Sequence, residues 1–280
     1  MKTAILTDST AYIPEDLLNK LNIYTVPLSV VFGNESFRED EDITNEQFYE
    51  KMRNTKELPT TSQPAIGTFV EMYEKLSKDY DAVISIHLSS KFSGTYGAAQ
   101  SAANMVDKVK VHPFDSELSA MPQGLFVIVA AELAQAGKGD EEILSQLYDM
   151  KDRTRAYFMV DDLTNLQKGG RLSSAQKLLG SVLNIKPILH IEEGVIVPFE
   201  KVRTRKKAIR RIMSMLEDDA TNKKIVKAVF IHGNNEEAAE ELRTAFLEQH
   251  PNVETIISCF GPVIGTHLGE NSIGVSWYTE

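Results

Sequence analysis

The sequence predicts an α/β protein of two domains, with a parallel sheet in its N-terminal half and an α+β arrangement in its C-terminal half. The first reason is length, because 280 residues correspond to roughly two domains of about 150 residues each. The second is composition, since 42% hydrophobic and 25% charged residues are typical of globular proteins and unlike disordered or repetitive chains. The third is the alternation of β-type runs with helical patterns, which indicates parallel strands joined by helices.

The N-terminal half alternates these elements in order. The predicted strands are residues 3–7, 24–32, 82–87 and 109–114, and the predicted helices are residues 14–21, 44–53, 65–78, 95–105, 124–136 and 141–151. Thr44 and Gln47 have the spacing of a capping box and follow the acidic run Glu39–Asp42. Asp40-Glu41-Asp42 could bind a cation but is expected instead to prepare the N-terminus of the same helix.

In the C-terminal half the predicted strands and helices follow one another in a different order, which indicates mixed β-pairing with the helices grouped together. The predicted elements are a strand over 157–160, a helix over 172–179, a hairpin over 186–199 turning at Glu192-Glu193-Gly194, a helix over 204–217, a strand over 225–232, a helix over 236–248, and strands over 255–259 and 272–278. This change in the order of elements predicts a domain boundary near residue 155, with an N-terminal domain over 1–155 and a C-terminal domain over 156–280.

Charge is distributed unevenly along the chain. The net charge is -10, but residues 165–211 hold eleven Lys and Arg against three Glu, so that this segment carries +8 and the remainder -18. A basic segment on an acidic protein is a candidate docking face. Nucleic-acid binding through Lys201–Arg211 is an alternative use, disfavoured by the scarcity of aromatic side chains nearby.

Cysteine usage and hydropathy predict a cytoplasmic location. Cys259 is the single cysteine, so nothing calls for an oxidising compartment. The N-terminus lacks the apolar run of a signal peptide, and the longest apolar run, residues 124–131, is far shorter than the ~20 residues that span a bilayer.

Three polar clusters follow strands or begin helices, where an open parallel sheet exposes its binding crevice. They are Asp8-Ser9-Thr10, Thr60-Thr61-Ser62-Gln63-Pro64 and Ser89-Ser90-Lys91-Phe92-Ser93-Gly94-Thr95. Each by itself is an ordinary helix cap. Their coincidence predicts a site in which neutral hydroxyl and amide groups hold an oxyanion.

Catalytic motifs are weak by comparison. No metal-binding or P-loop sequence occurs, and Phe92-Ser93-Gly94 lacks the first glycine of a nucleophile elbow. His267 is predicted in a glycine-rich loop between strands, where it could orient a hydroxyl. A hydrolase or phosphotransferase that uses Ser93 with His267 therefore stays open as the alternative to a binding protein.

Short motifs over nearly the whole chain resemble one family, the DegV-like proteins, which include the fatty-acid-binding subunits of bacterial fatty acid kinase. The matching segments are Thr7-Asp8-Ser9-Thr10, Thr61-Ser62-Gln63-Pro64, Leu88-Ser89-Ser90 through Ser93-Gly94-Thr95-Tyr96, Val160-Asp161-Asp162-Leu163, Gly169-Gly170-Arg171-Leu172, Lys201-Val202-Arg203-Thr204 and Gly265-Thr266-His267-Leu268-Gly269. The ligand-facing positions show no departure from the family pattern.

The resemblance implies a two-domain DegV-like fold, with a Rossmann-like N-terminal domain and a long-chain fatty acid buried between the domains. It implies that Thr61, Ser93 and His267 bind the carboxylate and that Gly94 permits its close approach. By the same resemblance, Arg171 supports phosphoryl transfer.

The resemblance also implies how the protein is used. It would be a carrier and not itself an enzyme, with no cofactor and no metal, that presents the carboxylate to an ATP-dependent kinase subunit for phosphorylation to acyl phosphate and phospholipid synthesis. Arg203 and Arg205 would face that kinase. No nucleic acid and no integral membrane span are expected, and transient membrane contact is left open.

Overall fold

The computed structural model describes residues 2–172 and 186–280, which form three β-sheets with helices packed between and around them. The strands are β1 (Thr3–Asp8), β2 (Ile23–Val26), β3 (Ser29–Phe32), β4 (Glu35–Arg38), β5 (Thr60–Ser62), β6 (Ala82–His87), β7 (Lys110–Asp115), β8 (Thr154–Met159), β9 (Lys186–Glu192), β10 (Val195–Val202), β11 (Ile225–His232), β12 (Glu254–Cys259) and β13 (Ile273–Thr279). The helices are α1 (Glu15–Leu21), α2 (Asn45–Asn54), α3 (Ile66–Leu76), α4 (Thr95–Ala103), α5 (Met121–Gln135), α6 (Asp140–Arg153), α7 (Thr164–Lys168), α8 (Arg205–Asn222), α9 (Glu236–Gln249) and α10 (Pro262–Leu268).

The sheets confirm the predicted fold class. A four-stranded sheet of order β2-β1-β6-β7 is parallel throughout, as the strand and helix alternation predicts. A six-stranded sheet of order β10-β9-β8-β13-β11-β12 is mixed, with β11 and β12 parallel and the other pairs antiparallel. A third, three-stranded antiparallel sheet has the order β4-β3-β5.

Helix α5 lies between the two larger sheets. Its residues from Met121 to Ile128 are all buried, so this part of the helix turns no face to water and must be covered on all sides. One apolar cluster joins α5 to Ile84 of β6 and to Ile231 of β11. The two larger sheets therefore share one core.

The outer faces of these sheets are covered by separate helices. Helices α3 and α4 pack on the four-stranded sheet through a cluster that includes Phe69 and Ala99. Helices α8 and α9 pack on the six-stranded sheet through a cluster that includes Ile212, Phe246 and Trp277. Among the described helices of residues 2–172 and 186–280, none is both long and apolar enough to cross a membrane.

The structure corrects three local predictions. The strand expected over 24–32 is two strands in different sheets, because Pro27 cannot donate to a strand ladder and the chain leaves the parallel sheet after Val26. Residues 60–62 form a short strand, β5, and not a helix cap. His267 lies on helix α10 and not in a loop.

Two further predictions concern the helix expected over 172–179 and the domain boundary. The helix expected over 172–179 lies outside the described residues from residue 173 on. The boundary expected near residue 155 falls within β8, whose residues pair with β13 and β9 in the six-stranded sheet.

Glu39 is fully buried where three parts of the fold meet. The hydroxyls of Ser9 and Tyr12, which follow β1, donate to its carboxylate over 2.5 and 2.6 Å, and the Val263 N–H of α10 donates over 2.6 Å. Burial raises the pKa of Glu39 from 4.5 to about 7, against the three hydrogen bonds, which lower it. Glu39 thus fastens α10 to the segment that follows β1 of the parallel sheet.

We expect this carboxyl group to make the protein less stable as the pH rises from about 5 to about 7. The folded state keeps the Glu39 proton to a higher pH than the unfolded chain does, which contributes a slope of up to ~1.4 kcal/mol per pH unit to the free energy of unfolding. The Glu39→Gln variant lacks this titration. Urea unfolding at pH 5, 6, 7 and 8 should therefore give it a flatter profile than the wild type.

The matched control is Glu50→Gln, which removes an exposed carboxylate of α2 and should keep the wild-type slope. Equal slopes for the wild type and Glu39→Gln would contradict the assignment of a raised pKa to this buried carboxyl group.

Candidate functional site

A cavity lies between the two larger sheets at the N-terminal end of α5, with the three-stranded sheet and α10 at its side. Its empty volume, which includes solvent space at its open side, is about 950 Å³. Most of its wall is apolar. The apolar lining consists of Leu28, Leu88, Phe92, Ala120, Pro122, Ala156, Phe158, Leu166, Ile191, Ile196, Ile231, Phe260, Val263, Ile264, Leu268 and Val275.

The structure brings the sequence-predicted polar residues together in this one cavity. Thr61, Ser93, Gly94, Arg171 and His267 all line it, although they come from four separate segments of the chain. Strand β5 carries Thr61, the loop between β6 and α4 carries Ser93 and Gly94, the segment after α7 carries Arg171, and α10 carries His267.

Thr61 and His267 contact each other directly. The Thr61 Oγ1 and His267 Nε2 atoms are 3.1 Å apart. Burial, together with the positive charge of Arg171, lowers the pKa of His267 from 6.5 to about 4, so the imidazole is neutral near pH 7 and carries one hydrogen.

The position of that hydrogen follows from the surroundings of the other ring nitrogen. His267 Nδ1 is buried and has no hydrogen-bond partner among residues 2–172 and 186–280, and a Cβ at Gly169 would lie 2.3 Å from it. A buried N–H without an acceptor is costlier than an unused lone pair, so the hydrogen belongs on Nε2. His267 then donates to Thr61 Oγ1, which leaves the Thr61 hydroxyl hydrogen for an acceptor in the cavity.

Ser93 belongs to a compact turn at the mouth of the cavity. Its Oγ lies 2.8 Å from Thr95 Oγ1 and accepts the Thr95 N–H over 3.3 Å. At the neighbouring Gly94, a Cβ would lie 2.1 Å from Gln63 Oε1, so the Gln63 carboxamide covers the backbone that we expected a ligand to approach. Gln63 is a polar group of the site that the sequence reasoning left out, although it stands within the quoted Thr61–Pro64 motif.

Arg171 is half-buried in the cavity wall and is anchored by carbonyl groups. Its Nε and Nη2 donate to the Phe92 carbonyl over 3.2 and 3.0 Å, and its Nη1 donates to the Gly169 carbonyl over 2.5 Å. Burial lowers its pKa, yet a guanidinium stays charged in proteins. Since no carboxylate pairs with it among residues 2–172 and 186–280, Arg171 supplies positive charge at the polar end of the cavity.

The pairing that a serine hydrolase needs is absent from the described cavity wall. Ser93 Oγ bonds to Thr95 and His267 Nε2 to Thr61, so no hydrogen bond joins the candidate nucleophile to the candidate base.

A Ser–His–Asp chain occurs elsewhere, in the parallel sheet. Ser85 Oγ lies 2.6 Å from His87 Nε2, and His87 Nδ1 lies 3.0 Å from Asp8 Oδ2. All three side chains have 0% exposure, and none lines the cavity. Asp8 also accepts the Leu88 N–H, so the network ties β1 to the end of β6 and is structural. None of Asp8, Ser9 and Thr10 of the first predicted polar cluster lines the cavity.

The basic residues from Arg203 to Lys207 lie outside the cavity lining. Arg203 is exposed, as are Lys206 and Lys207 at the start of α8. Arg205 is partly buried: it forms a 3.0 Å ion pair with Asp161 and donates to the Asn271 carbonyl. Of the two arginines expected to face a partner, Arg203 is therefore the more accessible.

No group of three or more His, Cys, Asp or Glu side chains suited to a metal ion occurs within the part of the chain that the structure describes. The polar atoms of the cavity are hydroxyl, amide, imidazole and guanidinium groups, which are donors for an anion rather than a ligand set for a cation.

Comparison with known sequences gives matches over the full length. A family model described as "Uncharacterised protein, DegV family" matches residues 2–280. Protein DegV of Bacillus subtilis (strain 168) is 52% identical over 278 residues, which cover 99% of each chain. A DegV domain-containing protein of Staphylococcus aureus is 41% identical over 280 residues, covering 99% of this chain and 97% of the relative.

Solved structures agree with the sequence matches. The crystal structure of DegV from Bacillus subtilis, described as a fatty acid binding protein, superposes with a TM-score of 0.95 at 51% identity and 100% coverage of both chains. A DegV family protein from Thermus thermophilus, described by its fatty acid binding, gives a TM-score of 0.94 at 32% identity, also with full coverage. Sequence and fold agree, and the chain belongs to the DegV family.

Proposed function

We propose that this protein binds a long-chain fatty acid in the cavity between its sheets and presents the carboxylate to a partner kinase. The observation that carries the proposal is the apolar cavity with neutral hydroxyl donors gathered at one end. Relatives at 51% and 32% identity are described as fatty acid binding proteins, which supports the same ligand class here.

The acyl chain supplies most of the binding free energy in this proposal. Burying each CH2 group contributes about 0.8 kcal/mol, so a chain with about fourteen buried methylenes gains roughly 11 kcal/mol before the cost of immobilising it. The carboxylate end then needs orientation more than further affinity.

The polar end provides that orientation through neutral groups. The Thr61 hydroxyl, which His267 leaves free to donate, and the Ser93 hydroxyl are the donors we assign to the carboxylate oxygens, with Gly94 beside them. Neutral donors hold an anion without the desolvation cost of a buried ion pair. Arg171, close to His267, adds positive charge where negative charge would increase during phosphoryl transfer.

The proposed chemistry takes place on the partner. A carboxylate oxygen of the bound fatty acid attacks the γ-phosphorus of ATP, the bond from that phosphorus to the bridging oxygen breaks, and ADP leaves with the electron pair, so that acyl phosphate remains on the carrier for phospholipid synthesis. The use of ATP places the proposed reaction in the cytoplasm. This chain would supply no cofactor and no catalytic nucleophile.

We expect Thr61→Val and Ser93→Ala each to weaken fatty acid binding. Each removes a hydrogen bond to a charged group, which is worth about 1.5–3 kcal/mol, so the dissociation constant for oleate should rise roughly 10- to 100-fold. Titration calorimetry measures the constant, and native mass spectrometry of the purified protein should show less co-purified fatty acid in the variants.

The chain offers a matched control for each change. Thr60→Val alters the exposed neighbour of Thr61 on β5, and Ser90→Ala alters an exposed serine in the Ser93 loop; neither residue lines the cavity. Both controls should bind like the wild type. If the wild-type protein repeatedly carries no fatty acid and binds neither oleate nor palmitate, the proposed function is wrong.

We expect Arg203→Ala to slow acyl-phosphate formation by the partner kinase without changing fatty acid affinity. Arg203 is exposed in the basic segment and does not line the cavity, so its loss would affect docking and not the ligand. The rate is measured with ATP, the kinase and the loaded carrier at several carrier concentrations, where a docking defect raises KM.

Arg153→Ala is the control, because Arg153 is an exposed arginine at the end of α6, outside the basic segment. A wild-type KM for Arg203→Ala, or an equal increase for both variants, would contradict the assignment of the docking face.

A further inference from the structure

The turn of the β9–β10 hairpin contacts the loop that carries Ser93. The turn has two residues, Glu193 and Gly194, both with positive φ, at 50° and 78°, the conformation of a two-residue hairpin turn that favours glycine. Ser89 Oγ donates to the Gly194 carbonyl over 2.8 Å. A Cβ at Gly194 would lie 2.7 Å from Ser89 Oγ and 3.2 Å from Lys91 Cγ, so a larger residue there would push against the Ser89 hydroxyl.

Ser89 organises the backbone of that loop. Its carbonyl accepts the N–H groups of Phe92 and Ser93 over 2.9 and 3.2 Å, and its own N–H donates to the Leu118 carbonyl over 2.7 Å. Its hydroxyl also accepts the Lys91 N–H over 3.1 Å. Ser89 is completely buried, so water cannot replace these bonds, and the turn that leads to Ser93 depends on where Ser89 is held.

Arg171 holds the same loop from another direction. Its guanidinium binds the Phe92 carbonyl through two nitrogens, one residue before Ser93. The hairpin and Arg171 thus fix the loop from the side of the six-stranded sheet, while Ser89 joins it to the end of β6 in the parallel sheet. Ile191 and Ile196 of the same hairpin line the apolar part of the cavity. A single hairpin therefore forms part of the apolar lining and also contacts the loop that carries Ser93.

We propose that the hairpin turn positions the Ser93 hydroxyl for the ligand carboxylate, with Gly194 and Ser89 as positioning residues that do not themselves contact the ligand. The inference rests on the proposed function, in which Ser93 donates to the carboxylate. If the loop were displaced, the apolar cavity would remain, but the Ser93 hydroxyl would no longer be oriented toward the carboxylate. Disturbing the turn should therefore weaken recognition of the carboxylate more than binding of the acyl chain.

The test compares palmitate with hexadecanol, which has the same chain length and no carboxylate, in wild type, Gly194→Ala and Ser89→Ala. Gly194→Ala adds a methyl group against Ser89, and Ser89→Ala removes the contact without adding bulk. We expect palmitate to bind about ten-fold more weakly to both variants, the size of one lost hydrogen bond, and hexadecanol to bind nearly as in the wild type. A merely destabilised protein would weaken both ligands by the same factor.

Gly33→Ala is the matched control. Gly33 lies in the two-residue turn between β3 and β4 with a φ of 59°, and a Cβ there meets nothing within 4 Å. The substitution adds the same kind of backbone strain, so it should lower the free energy of unfolding and leave the preference for palmitate intact. If Gly194→Ala fails to fold, Ser89→Ala carries the test alone.

The outcomes separate this inference from the proposed function. Wild-type palmitate affinity in both Gly194→Ala and Ser89→Ala, or equal weakening of both ligands, overturns the positioning role. Ser93→Ala is measured alongside: if it weakens palmitate binding while the other two variants do not, only the positioning inference is wrong. If Ser93→Ala also binds palmitate like the wild type, the carboxylate site itself is wrong.

Discussion

The burial of helix α5 between two sheets is the constraint on which the rest of the structure depends. From Met121 to Ile128 the helix is buried on every side, and such a segment cannot lie on a surface. The parallel sheet and the six-stranded sheet therefore both pack against it and share one core. The cavity lies where this packing ends, beside Ala120 and Pro122 at the beginning of the helix. The apolar wall of the site is thus an extension of the core, which explains why it draws on residues from both halves of the chain.

The polar end of the cavity is assembled by a second set of contacts, made by groups that are themselves buried. Glu39 fastens the N-terminus of α10 and thereby sets the position of His267. Tyr49 donates to the Phe260 carbonyl just before α10, and Ser89 holds the loop that carries Ser93. The hydroxyl groups of Thr61 and Ser93 stand on short side chains with little reach of their own, so their geometry depends on these supports.

Local patterns predicted many of the elements and the class of the fold. The capping box of Thr44 and Gln47 forms as its spacing indicates, and the parallel sheet follows from the alternation of strands and helices. The strand expected over 24–32 was wrong because hydrophobicity continues through Pro27 while the sheet does not. The prediction that His267 lies in a loop was wrong because the neighbouring Gly265 and Gly269 suggested irregular backbone. Helix α10 is short, and tertiary contacts to Glu39 and Tyr49 hold it in place.

The sequence by itself determined the α/β class, the polar clusters that contain Thr61 and Ser93, and the resemblance that fixed the family, because these depend on local residue order. Only the tertiary structure decided which clusters share a cavity. Asp8 stands at the end of a strand and Ser89 shortly after one, yet the Asp8 carboxylate bonds only within the parallel sheet and its neighbours. Glu39 is buried although it begins an acidic run. The physical reason is that burial and hydrogen-bond partners come from residues far apart in the chain: Thr61 and His267, 206 positions apart, lie within 3.1 Å of each other.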